Sequence, residues 1–169
     1  MKIVVTGLPR SGTSLMMQTL AWSGIPLITD TVNKWTCPDL DNPRGYFESS
    51  TIELRQGYAI KVLFPWLLAL NIDSSTFFLV MRRDLTEVTL SWQKLCERRG
   101  TKVQSFALLL ERCTRNFKRM EDWLFGKRYS FVDYSSLVTH PCFDQKLYRN
   151  HMEEINSCQP DALIHFRMK

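Results

Sequence analysis

The chain has 169 residues, 44% hydrophobic and 23% charged, with a net charge of +5 from 22 basic and 17 acidic side chains. These are the proportions of one ordinary globular domain, long enough to bury about 70% of its unfolded surface. The positive excess suits an anionic ligand, but it is too small and too scattered to argue for nucleic acid. Five cysteines (Cys37, Cys96, Cys113, Cys142 and Cys158) are odd in number and form no C-x-x-C pair, and His140, His151 and His165 lack metal-ligand spacing. That argues against a disulfide framework or a zinc site and for reduced thiols in a cytoplasmic setting. The apolar run after Lys2 is too short for a signal peptide, and the run over 62–70 is broken by Pro65 and falls short of a membrane span. The expectation is a cytoplasmic protein with no membrane segment.

In chain order, 2–6 is rich in β-branched residues and reads as a short buried strand ended by Gly7. From Gly12 the period becomes helical, with Leu15, Met16, Thr19 and Leu20 on one side, and it stops near Gly24-Ile25-Pro26. Residues 29–46 form a long polar loop, and 58–62 read as a second strand followed after Pro65 by a short apolar helix. The continuous apolar run TFFLVM over 76–81 is the mark of a strand covered on both faces. A helix starts at Asp84, with Glu87 placed as in a capping box, and runs to about Arg99. A long amphipathic helix covers 103–124, its stripe formed by Phe106, Leu109, Leu110, Cys113, Phe117, Met120 and Leu124. A last strand covers 129–132. Alternating strands and helices predict a single α/β domain with a central parallel sheet and helices on both faces. Ligands of such sheets sit at the carboxyl ends of the strands, where the Gly7 loop falls.

That loop, GLPRSGTS, has the glycine spacing of a phosphate cradle, but Thr13 stands where a nucleotide-binding lysine belongs. Glycines at 7 and 12 let the backbone turn around an anion, and the amides of Ser11 to Ser14 open the next helix. Arg10 supplies the positive charge; at about 4 Å such a pair contributes on the order of 4 kcal/mol before desolvation, at an effective dielectric near 20. Thr13 and Ser14 add hydroxyl donors. Phosphate loops that handle magnesium nucleotides usually place an acid after an apolar strand, whereas TFFLVM leads into Arg82-Arg83 before Asp84. Cations at that place favour direct arginine contact over magnesium bridging.

PRSGTSL over 9–15 resembles the 5′-phosphosulfate loop of the sulfotransferases that use 3′-phosphoadenosine 5′-phosphosulfate (PAPS). The resemblance implies a P-loop-type three-layer α/β/α sulfotransferase fold over 1–169, with Pro9, Arg10, Ser11, Gly12, Thr13 and Ser14 around the phosphosulfate. Further matches follow in the family's order. FFLVMRRDLTEVTLS places Arg83 and Ser91 at the family's spacing for a 3′-phosphate site; FVDYSSLVTHP offers Tyr134 near the adenine; KLYRN offers Lys146 and Arg149 as 3′-phosphate partners. The GIPLITD…DNPRGYFE stretch is closest to short bacterial-type sulfotransferase-like proteins. No role is read for Arg82.

The pattern also departs from the family. Cytosolic members carry a catalytic histidine in K-T-H-x-P, and here Lys61-Val-Leu-Phe-Pro65 puts Leu63 in its place. Other branches use a glutamate about twenty residues after the loop, for which Asp30 fits the position and Glu48 the reach. Arg10, helped by Lys61, is expected to stabilise charge on the bridging oxygen, as in phosphoryl transfer. Trp35 and Tyr46, in the long polar loop, are candidates to cover the acceptor, whereas Trp22, Trp66, Trp92 and Trp123 are expected in or near the core. The resemblance implies transfer without metal from PAPS to a hydroxyl or amine of a small-molecule, glycan or peptide acceptor, by a monomer or homodimer. A small P-loop kinase or NTPase, and a nucleotide-binding homologue without catalysis, are the alternatives.

Overall fold

The computed structural model describes residues 1–29, 49 and 52–139. Five strands are found: β1 (Lys2–Gly7), β2 (Leu27–Ile28), β3 (Ala59–Lys61), β4 (Thr76–Arg82) and β5 (Tyr129–Asp133). All pair in parallel, in the order β2-β3-β1-β4-β5. The register sets Val4 against Ile60 on one side and Phe78 on the other, so the middle of β1 lies at the centre of the sheet. After β1 the chain crosses to β2, and after β4 it crosses the opposite way to β5. The carboxyl ends of β1 and β4 therefore flank the point where the winding reverses, the place at which open parallel sheets take ligands.

The helices are α1 (Thr13–Trp22), α2 (Leu85–Arg98), α3 (Phe106–Leu124) and α4 (Tyr134–Thr139), with a 3₁₀ turn at Trp66–Ala69. Alternation along the strands divides the core between two faces. Ile3 and Val5 of β1 and Met81 of β4 pack with Met16, Met17 and Leu20 of α1 and with Leu137 of α4. Val4, Phe78 and Val80 pack with Leu67 of the 3₁₀ turn, Val88 of α2 and Met120 and Leu124 of α3. Phe78 is 1% exposed and meets the Trp123 ring edge-on at 5.5 Å. The protein is thus α/β, with helices on both faces of a five-stranded parallel sheet.

Three readings are corrected at this level. The short helix after Pro65 is a single 3₁₀ turn, anchored by the fully buried Leu67. The long helix begins at Phe106 and not at 103, because the Ser105 hydroxyl accepts the Leu108 amide and caps it there. The two-residue edge strand β2 is additional to the predicted strands. At the amino ends of β1 and β4, Lys2 pairs with Asp73 at 2.6 Å, and this contact, with hydroxyls of Ser75 and Thr76, holds the Asp73 carboxyl well below the usual carboxylate range. Among the described residues no helix is long and apolar enough to cross a membrane.

Candidate functional site

β1 ends at Gly7, and the five residues that follow turn the chain into α1. Arg10 at φ 75° and Gly12 at φ 103° both occupy left-handed backbone conformations, which for arginine costs about 1–2 kcal/mol. The Ser11 amide donates to the Leu8 carbonyl at 3.1 Å, closing the turn. Gly12 is the N-cap of α1 and supplies no side chain to it, so the first turn of that helix presents its N–H groups outward. Space as well as φ requires the two glycines. A Cβ on Gly7 would lie 2.5 Å from the Ser11 hydroxyl and 2.9 Å from the Met81 carbonyl, and one on Gly12 would lie 2.5 Å from Cδ2 of Tyr134.

The side chains gather into two polar groups. Lys61, 5% exposed at the end of β3, donates to the Ser14 hydroxyl at 3.3 Å in the first turn of α1. On the other side, Arg10 Nε donates to Ser91 Oγ at 3.1 Å, while Arg83 donates through Nη1 to the Arg10 carbonyl at 3.3 Å. Arg83 also pairs with Glu87 at 2.8 Å and stacks over the Tyr134 ring, 4.2 Å from its centroid. Glu87 is one turn into α2, whose amino end is capped by Asp84 accepting the Glu87 amide at 3.0 Å. Its carboxylate goes to Arg83 and fixes one edge of that guanidinium. Arg82 points elsewhere, making two bonds of 2.7 and 3.0 Å to Asp133 and lying 5.2 Å from the Phe131 ring centroid. Each partner shifts the other: the Asp133 carboxyl is held below its ordinary value and the Arg82 guanidinium above. Arg82 is therefore a strut between β4 and β5.

Both groups open into one cleft of about 660 Å³ at the carboxyl ends of β1, β3 and β4. Pro9, Arg10, Gly12, Thr13, Ser14, Lys61, Arg83, Ser91 and Tyr134 all line it, so nearly all the described candidates meet in one place. Ser11 is the exception: its hydroxyl is buried at 2% exposure without a hydrogen-bond partner, and its amide is spent on Leu8. The hydroxyl lies under Gly7, 2.5 Å from where a Cβ on that residue would stand. Asp30, Glu48, Lys146 and Arg149 lie outside the described residues; Ser49, which follows Glu48, lines the cleft. Arg10, Lys61, Arg83 and Arg99 put four positive charges around the space, and none of its described lining residues is a carboxylate or an imidazole.

The sequence reading missed the wall away from the loop, made by Ile52, Leu63, Trp66, Trp92, Leu95 and Arg99. Trp66 is 69% exposed and not in the core as expected. Leu67 takes the inward position of its 3₁₀ turn and leaves Trp66 facing the cleft. Trp92 is partly buried, with Arg112 over its ring at 5.8 Å. The available signal was the i, i+4, i+8 spacing of Ser91, Leu95 and Arg99, which sets them on one side of α2. Comparison of the chain with protein-family models, with curated proteins and with solved structures gives no match.

Proposed function

We propose that the protein is a sulfotransferase of the P-loop fold type, moving a sulfuryl group from PAPS to a hydroxyl or amine acceptor without a metal ion. The observation that carries this reading is the pairing of two cationic groups in one cleft. Lys61 with Ser14 stands at the helix opening, Arg10 and Arg83 stand with Ser91, and no described carboxylate lines the space between. Such an arrangement suits a ligand with two separated anionic groups, as a 3′-phosphorylated nucleotide 5′-phosphosulfate has. It does not suit a magnesium triphosphate, whose metal calls for an acid where Arg82 and Arg83 stand.

When bound, the donor supplies an activated sulfuryl group. The α1 amides and the Thr13 and Ser14 hydroxyls orient its 5′ end, and Lys61 faces the charge that develops as the bridging oxygen departs; Arg10 joins it only by turning its side chain away from Ser91. Arg83 and Ser91 hold the 3′-phosphate, and the Tyr134 ring, backed by Arg83, lies where the base stacks. Lys146 and Arg149 are assigned to the 3′-phosphate as well. The acceptor proton goes to Asp30 or Glu48.

A metal-free thermal-shift titration tests the reading. Near 100 times its dissociation constant, 3′-phosphoadenosine 5′-phosphate is expected to add about 2.7 kcal/mol, several degrees for a chain of this size. ADP should do far less, and Arg83→Ala should remove the difference. Stabilisation by ATP only with magnesium would overturn the assignment in favour of a kinase or NTPase.

One observation favours a second reading, a nucleotide-binding homologue without catalysis: Leu63 lines the cleft where the family's histidine would stand. Asp30→Asn and Glu48→Gln, made singly, separate the two. One of them should lower turnover by roughly 10²- to 10⁴-fold while leaving nucleotide affinity in place. If nucleotide binds but no acceptor is sulfated by the unaltered protein, the non-catalytic reading holds.

A further inference from the structure

β4 ends at Arg82 and Arg83 follows it, so two like charges stand side by side at the carboxyl end of the sheet. Of the two, Arg83 lines the cleft, while both line a second hollow of about 490 Å³. Arg83 and Tyr134 belong to both spaces and form the partition between them. Two carboxylates accompany this division. Asp133 of β5 takes Arg82 through two bonds, and Glu87 of α2 accepts from Arg83 Nε at 2.8 Å. Both acids line the second hollow, on the far side of the partition from the cleft. Glu87 is itself held, because its amide donates to the Asp84 cap and fixes its place in the first turn of α2. Its side chain is 56% exposed and that of Arg83 is 21% exposed, so the more buried member of the pair is the one directed at the cleft.

The geometry points to Glu87 as a positioning residue that sorts Arg83 into the cleft and so sets the preference for a 3′-phosphorylated nucleotide. This selectivity rests on the PAPS reading. A guanidinium has a single Nε hydrogen and two on each terminal nitrogen. Glu87 takes the Nε hydrogen and the Arg10 carbonyl takes one from Nη1, which turns the Nη2 end of the fork toward a ligand. The Tyr134 ring, 4.2 Å from Cζ, holds the plane of the group. An arginine without such supports must be ordered when the anion arrives, and that loss is subtracted from binding. The same carboxylate also repels an anion, so the two effects oppose. Glu87 is exposed and lies across the partition, where water and salt screen the repulsion; the ordering acts at contact and is expected to win.

Calorimetry with 3′-phosphoadenosine 5′-phosphate and with ADP tests this on the unaltered protein, Glu87→Ala and Glu87→Gln, together with NMR of the arginine Nε–H groups. Glu87→Ala should weaken the 3′-phosphorylated nucleotide roughly three- to tenfold, the order expected for ordering one long side chain on binding. ADP affinity should not change, which also shows that the variant is folded. Glu87→Gln keeps an acceptor at the same reach and should restore most of the loss; if charge alone mattered, it would behave like Glu87→Ala. The Arg83 Nε–H should be ordered in the unaltered protein and averaged in Glu87→Ala, while Arg82, still paired with Asp133, keeps its signal. Tighter binding of the 3′-phosphorylated nucleotide in Glu87→Ala, an unchanged ratio to ADP, or an Arg83 signal that stays ordered would each overturn the assignment. If the unaltered protein prefers neither nucleotide, the PAPS reading falls and takes the selectivity with it, while the Arg83 signal still decides whether Glu87 positions that arginine.

Discussion

Gly12→Ala is expected to destabilise the protein by roughly 2–5 kcal/mol and to abolish nucleotide binding in the same variant. Two costs combine. The backbone at φ 103° is one that L side chains rarely adopt, and the new Cβ would arrive 2.5 Å from Cδ2 of Tyr134. The ring cannot step aside cheaply, because Arg83 lies over its face and Gly12 meets its edge. Gly57→Ala is the matched control: its φ is 81°, but nothing stands within 4 Å of the added atom. Urea unfolding of both variants gives the comparison. A loss at Gly12 no larger than at Gly57 would mean that the Tyr134 contact is not a steric constraint, and the loop would then be free to take a side chain there.

Lys61→Met should lower the turnover of the proposed transfer by roughly 10²- to 10³-fold, the usual cost of removing one group that faces charge in the transition state. Lys61 is almost fully buried and its amine meets the Ser14 hydroxyl, so its direction is set before a ligand arrives. Methionine keeps the stem and most of the volume, which limits the structural cost. Nucleotide affinity should fall much less than turnover. A loss confined to affinity would make Lys61 a binding residue and transfer the catalytic role to Arg10 alone.

The parts of the molecule legible in the sequence are those where one strong local pattern decides. β1 and β4 are continuous apolar runs, α2 has a capping aspartate, and the loop is punctuated by two glycines, so these appeared within a residue or two of their predicted bounds. Arg83, Ser91 and Tyr134 were named only through the resemblance of their motifs to a known family, and the sheet brings them to one cleft. Other features depend on contacts that no local pattern carries. Arg82 pairs with a carboxylate 51 residues away. Trp66 faces outward because its neighbour Leu67 won the inward place, a competition between two apolar residues of similar appeal to the core. β2 has only two residues and no period to read. The turn uses the Ser11 amide and the space beneath Gly7 takes its hydroxyl, two placements that the spacing of the loop does not announce.

β5 passes into α4 with no connecting residue: Asp133 ends the strand and Tyr134 begins the helix. The two neighbours carry different duties, one bracing β4 through Arg82 and the other meeting Gly12 and Arg83. The junction therefore tolerates no change of length. One inserted residue would turn the following helix by about 100° and separate brace from platform. The exposed stretch 101–105 between α2 and α3 has no such obligation and can lengthen at little cost. Among descendants of this chain, variation in length should collect at that connection, while the step from 133 to 134 stays invariant even where the residues on either side drift.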